Sequence, residues 1–174
     1  QSFIAGAPMV LVFCADCKKW YDAYREAGCD PRAPGVGDLM LAFSDAAIAA
    51  QNAVVAAESL GLGSCYIGDI MENCARQRAL LHLPEYVFPA VFGWPTPQQR
   101  ERPKPQRCPM AHIVHQNTYR SMDGAELRDM LAHNCGARPF EEWCAAFCER
   151  KYNSDFSREM TRSVAEYLRQ FQRG

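Results

Sequence analysis

The sequence predicts an α/β fold on three observations. There are two continuous apolar runs of strand length, a long helix of small apolar residues between them, and a strand–helix–strand–helix–strand order overall. The first run, Met9–Cys14, reads MVLVFC and is expected to be a strand covered on both faces. Asp16–Gly28 follows as a short helical or irregular segment, and Asp30–Gly37, with Pro31, Pro34 and two glycines, reads as loop. Between Ala46 and Leu60 only Gln51, Asn52, Glu58 and Ser59 are clearly polar, so this helix is expected to be buried at the centre of a domain or of a dimer. Alanines at 46, 47, 49, 50, 53, 56 and 57 keep it thin; Asp45 is the expected N-cap and Gly61 the residue just past its end. Ser64–Ile67 predicts a short strand, Ile70–Leu81 a helix, and Tyr86–Trp94 a second buried strand interrupted by Pro89. Such crossovers imply at least partly parallel pairing. Pro95–Pro109, rich in proline, glutamine and basic residues, reads as an extended surface segment. Helical periodicity then returns in Gly124–Asn134, Phe140–Tyr152 and Ser157–Phe171, the last with Met160, Val164, Tyr167, Leu168 and Phe171 on one stripe.

Composition excludes several classes of function. A chain of 174 residues, 48% hydrophobic and with a formal charge of -1, has enough material for one real core and no basic footprint for nucleic acid. The nearest basic run, Arg100–Arg107, is broken by Glu101, Pro103, Pro105 and Gln106. Apolar runs are interrupted short of the roughly 20 residues a transmembrane helix needs, so no membrane partner is expected. Gln1–Ala15 lacks the basic start of a secretory signal and reads as a strand inside a domain. Nine cysteines at irregular gaps predict free thiols, a reducing compartment and a cytoplasmic location.

Candidate chemical groups are weighed against blander readings. Cys14-x2-Cys17 and Cys144-x3-Cys148 supply four sulfurs, but the second pair falls in an amphipathic helix and the pairs lie far apart in sequence, so no metal site is expected. A redox dithiol wants its first cysteine at a helix N-terminus, whereas Cys14 ends a strand. His112 and His115 lack an evident paired carboxylate or third ligand and read as a capping or surface pair; His82 and His133 are similar. Trp143, Phe147 and Tyr152 read as core or dimer contact. Gly61-Leu-Gly63-Ser-Cys-Tyr-Ile-Gly68 follows a helix and spaces its third glycine too late for a dinucleotide fingerprint. Tyr66-Ile67-Gly68-Asp69 directly after that turn instead suggests a backbone that comes close to a flat ligand.

Several ordered motifs carry a resemblance. AQNAVVAAESLGLGSCYIG, VFCAD at 12–16, LHLPEYVFP at 81–89, GWP at 93–95, and Arg107 followed by CPMAHIVHQNTY resemble the FMN-dependent nitroreductase superfamily, most closely its NADPH nitro/flavin reductase branch. The resemblance implies a three-layer α+β sandwich, a mixed sheet flanked by helices, in an intertwined homodimer with FMN at the interface. It implies residues 1–120 as the C-terminal two thirds of the FMN-binding domain and 121–174 as a helical extension packing on the same domain or on the partner. Nothing in Gln1–Ala7 matches the family's basic phosphate-binding segment, so an N-terminal part of the domain is expected to lie outside this chain.

Carried over residue by residue, Tyr66, Ile67, Gly68 and Asp69 match the segment against the isoalloxazine, with Asp69 where the branch often has a second glycine. Arg107 resembles an FMN phosphate ligand and Lys104 its partner, although one extra residue between them leaves Arg102, Lys104 and Arg107 competing for two roles. The implied activity is hydride transfer from NADPH or NADH through FMN to a small planar acceptor, a nitroaromatic, quinone or flavin, with no catalytic side chain. The alternatives are a non-catalytic flavin- or nucleotide-binding module and a structural protein.

Overall fold

β1 (Leu11–Asp16) and β2 (Leu62–Ile67) run in the same direction because one long helix, α2 (Val36–Ser59), carries the chain back between them. They do not pair with each other. β3 (Val87–Pro97) lies between them and is antiparallel to both, in the order β1-β3-β2. The expected crossover is therefore present, but every strand pairing among the described residues is antiparallel: the third strand occupies the place that parallel pairing would need. The computed structural model describes residues 9–97, 104 and 106–172, with the backbone alone for 91–97. Two compact units result, 1–100 with 158–174, and 101–157.

β1 begins two residues later than the apolar run suggests and is half-exposed along most of its length, Ala15 alone being buried. Between Phe13 and Cys14 the register steps from Val91 to Pro89, so Ala90 is the extra residue of a bulge on β3. The bulge is what lets a central strand contain Pro89, which has no N–H for the ladder. α1 (Lys18–Glu26) follows directly, with the Lys19 amide donating to Asp16 Oδ1 at 3.1 Å.

α2 starts at Val36, nine residues before the expected cap at Asp45. Its start stands on Asp38, whose carboxylate accepts the Gly35 amide at 2.8 Å and both Nη atoms of Arg32, at 2.6 and 3.0 Å. The helix ends as expected: Gly61 takes a left-handed φ of 72° and its amide donates to the Glu58 carbonyl at 2.9 Å. With 24 residues and an 18-residue stretch of mean hydropathy 1.5, α2 is long and apolar enough to cross a membrane, contrary to the expectation that no segment reaches that length; the reason is its earlier start. One face, with Leu39, Ala46 and Ala50 buried, packs on the sheet. The expected burial of the whole helix does not hold within the chain, because Leu41, Ile48 and Val55 on the other face are 71%, 62% and 56% exposed.

The helix expected over 70–81 is divided. A 3-10 turn, Asp69–Met71, is followed by Asn73 in the left-handed region and then α3 (Cys74–Leu81). In the 101–157 unit, α4 (Gly124–Cys135) opens with a reciprocal cap, the Glu126 amide on Asp123 Oδ1 at 2.9 Å and the Asp123 amide on Glu126 Oε2 at 3.0 Å. α5 (Phe140–Lys151) buries no residue, so Trp143, Phe147 and Tyr152 are not core. α6 (Asp155–Leu168) and the 3-10 turn Arg169–Gln172 bring the end of the chain into the first unit. Here the predicted stripe holds: Tyr167 and Phe171 join Leu39, Ala46, Cys74 and Phe88 in the main core, with Phe88 and Tyr167 edge to face at 4.9 Å. Ser163, fully buried, accepts the Cys74 amide at 3.0 Å, and the buried Gln170 Oε1 accepts from Arg78 at 2.5 Å and from the Tyr86 amide at 3.1 Å.

Candidate functional site

β2 ends where Ile67 turns inward. Its side chain is 7% exposed and packs with Ile70 against Val12, Met71 and Leu81, so only its backbone is available to a ligand. Its neighbours face outward. Tyr66 is 45% exposed, and its hydroxyl donates to Gln51 Oε1 on α2 at 3.0 Å, which fixes the ring against the helix. Gly68 is exposed and leads the 3-10 turn; a Cβ built there would meet nothing nearer than the Met71 methyl at 4.0 Å, so backbone is open to approach at this point. Asp69, half-buried, follows it. Its charge helps push the Glu72 carboxyl above its ordinary range, after the larger effect of burial and ahead of Glu159.

Lys104 and Arg107 belong to the 101–157 unit and are both exposed; Arg102 lies outside the described residues. Neither Lys104 nor Arg107 makes an ion pair with a described carboxylate. The first unit thus brings Tyr66, Ile67, Gly68 and Asp69 together, while the two cations stand in the second. Taken by itself, the first unit offers a fixed aromatic ring beside a bare glycine backbone, chemistry suited to a flat ligand, and the second, taken by itself, offers two exposed cations of the kind that bind phosphate.

Two features escaped the sequence. Gln51, one of few polar residues on an apolar helix, marks the point where α2 meets Tyr66; its isolation was the available signal. A groove of 770 Å³ in the first unit is walled by residues of β1, α1 and α2, among them Cys14, Trp20, Tyr24, Leu41 and Asp45, and contains none of the six candidate site residues. Burial, then nearby Asp16, pushes the Cys14 thiol up, and burial followed by Asp38 and Asp16 does the same to Cys17. Both thiols are therefore held protonated, away from the thiolate a redox dithiol needs. All nine cysteines are free. His112, read as an unpaired surface residue, has a carboxylate partner after all: its Nε2 lies 2.7 Å from Asp129 Oδ2 on α4, seventeen positions away. His115 Nδ1 accepts the Arg120 amide at 3.3 Å, as a capping residue would.

A small sheet flanked by helices, with an exposed glycine turn after a strand that follows the long central helix, defines an α+β fold. Comparison with known proteins agrees: residues 1–94 match the model of the Nitroreductase family, and the chain belongs to that family. A CR(VI) reductase of Pseudomonas sp. (strain G-1) is 40% identical over 119 residues, which cover 67% of this chain and 48% of the relative. An FMN reductase [NAD(P)H] of Bacillus subtilis (strain 168) is 31% identical over 172 residues, 96% of this chain and 65% of the relative. Among solved structures, B. megaterium NfrA2 superposes with a TM-score of 0.76 at 28% identity, covering 96% of this chain and 71% of that one. The chain spans about half to two thirds of the length of the curated relatives it matches.

Proposed function

We propose that the protein is an FMN-dependent NAD(P)H oxidoreductase that passes hydride to a nitroaromatic, quinone or flavin acceptor. The observation that carries this reading is the end of β2, where an inward Ile67 leaves Tyr66 and Gly68 facing out in a chain of the Nitroreductase family. Relatives named as an FMN reductase and an oxygen-insensitive NADPH nitroreductase support the cofactor and the donor.

FMN, when bound, supplies the hydride chemistry at its N5. The chain's part is to bind and orient. Tyr66, steadied by Gln51, offers a ring to stack on, and Gly68 lets the backbone close to within contact of the isoalloxazine edge. Ile67 holds this segment down through the core. Asp69, next in the chain, would put a carboxylate near that edge, so backbone amides would supply the electrostatic support of the ring. Lys104 and Arg107 serve the phosphate and take no part in hydride transfer. A homodimer formed through the exposed face of α2, and a reducing, cytoplasmic setting in accord with nine free thiols, complete the proposal.

Titration of apo-protein with FMN, followed by flavin fluorescence, tests it. Arg107→Ala removes a charge-assisted hydrogen bond to a dianion, so affinity should fall by about 1.5–3 kcal/mol, roughly ten- to a hundred-fold or somewhat more, while turnover at saturating FMN survives. Unchanged affinity in the variant would reject the role of Arg107. Absence of FMN binding by the protein carrying the family's full domain would reject the oxidoreductase reading itself.

A further inference from the structure

On α5, Trp143, Ala146, Phe147 and Arg150 recur at the spacing i, i+3, i+4, i+7 and so share one face of the helix. Trp143 and Phe147 stack, ring centroids 4.7 Å apart and planes 18° from parallel, and the Arg150 guanidinium lies 5.2 Å from the Phe147 centroid. The chain enters α5 through a turn at Gly136, φ 60°, that sets Arg138 beside this face. Together these residues border an open surface cleft of 330 Å³ whose lining holds two guanidinium groups and no carboxylate. Glu142 and Glu149 fall outside the face by the same helical spacing.

Two other arginines of this unit are engaged, Arg120 with Glu126 and Arg128 with Glu141, each at 2.6 Å, whereas Arg107 is not. Among the described residues, Arg138 and Arg150 have no carboxylate partner. We infer that the cleft, whose lining includes no residue of the Tyr66 segment, is a binding site for a compact aromatic carboxylate. The stacked pair supplies an apolar wall for one or two fused rings. The guanidinium groups are planar forks suited to a carboxylate. A volume of 330 Å³ lies at the small end of the range for ligand sites, which suits a one- or two-ring acid and leaves no room for a dinucleotide.

Calorimetric titration of the full chain with 2-naphthoate and with its uncharged counterpart 2-naphthamide tests the inference, with no flavin and no turnover involved. Arg138, Ala146 and Arg150 are exposed, so variants at these positions keep the fold, which far-UV circular dichroism checks. The expected result is saturable binding of naphthoate, weaker by about tenfold or more both for naphthamide and in the R138Q/R150Q variant, and lost in A146W, where the indole fills the cleft. Equal affinity for acid and amide would overturn the site. So would unchanged naphthoate affinity in either variant, or no saturable binding at all.

Discussion

Ile48→Glu is expected to split a dimer made through the outer face of α2. Leu41, Ile48 and Val55 stand seven residues apart and are 71%, 62% and 56% exposed, so they form one uncovered stripe while Ala46, 8% exposed, faces the sheet. Fully burying an aliphatic side chain of this kind is worth about 1.5–3 kcal/mol, and scaled by the exposed fractions the stripe has about 3–6 kcal/mol per protomer still to gain. In a two-fold pair that doubles, which is comparable with the cost of association, about 4–15 kcal/mol. The substitution removes about 1–2 kcal/mol from each protomer. It also places a carboxylate from each into the interface, where burying an unpaired charge costs several kcal/mol more. The combined loss of about 4 kcal/mol or more weakens association by about a thousand-fold. Sedimentation velocity from nanomolar to micromolar concentration reads this directly, with circular dichroism to show that the chain still folds, since Ile48 contributes nothing to the core. A variant that associates as tightly as the parent, or a parent that is monomeric at micromolar concentration, would refute the reasoning.

Two further outcomes follow from the contacts of the last helix and of the start of α2. Ser163→Ala leaves the Cys74 amide without its acceptor in a fully buried setting and should destabilise the first unit by about 1–3 kcal/mol, read as a lower urea midpoint with an unchanged slope; a midpoint equal to that of the parent would contradict the burial of this bond. Asp38, hydrogen-bonded by Arg32, and Glu159, hydrogen-bonded by Arg162, are each held at about 2 in the folded chain, below their values when unfolded. Their contribution is therefore complete above the unfolded pKa and is lost as pH falls towards 2. Thermal unfolding should show a midpoint that declines through that range, and less steeply in Asp38→Asn; an identical acid profile for that variant would rule the pair out.

How much of this was legible in the sequence depends on the range of the interaction. Tyr167 and Phe171 were placed correctly because a helical stripe is local, and Gly61 because a helix stop is a property of one residue. The start of α2 was misread: Pro34, Gly35 and Gly37 look like loop, and the stabilising partner, Arg32 on Asp38, bridges six positions. Strand pairing was misread for a stronger reason. Crossover length tells the direction of β1 and β2 but not that a later strand inserts between them. At the candidate site the motif drew attention to Tyr66–Asp69, yet alternation along β2 had to be seen to learn that Ile67 faces the core. The Tyr66–Gln51 and His112–Asp129 contacts join residues fifteen and seventeen positions apart, beyond any period a sequence displays.

α2 carries three tasks on one cylinder, and their spacing ties them together. Its inner face, through Leu39, Ala46 and Ala50, holds the sheet whose second strand ends at Ile67. Its outer face bears the aliphatic stripe. Gln51 sits on that outer face, three residues after Ile48 and four before Val55, and it is Gln51 that accepts the hydrogen bond from Tyr66. Whatever covers the stripe therefore comes within one helical turn of the residue that steadies Tyr66. If a second copy of the chain is the cover and a flavin ring stacks on Tyr66, each changes the freedom of the same glutamine and tyrosine. Association and flavin binding then become linked, each changing the other by the same factor. A helix so poor in polar residues is what makes that arrangement possible: small side chains on the inside let the sheet come close, and one of the few polar side chains on the outside is left to hold Tyr66.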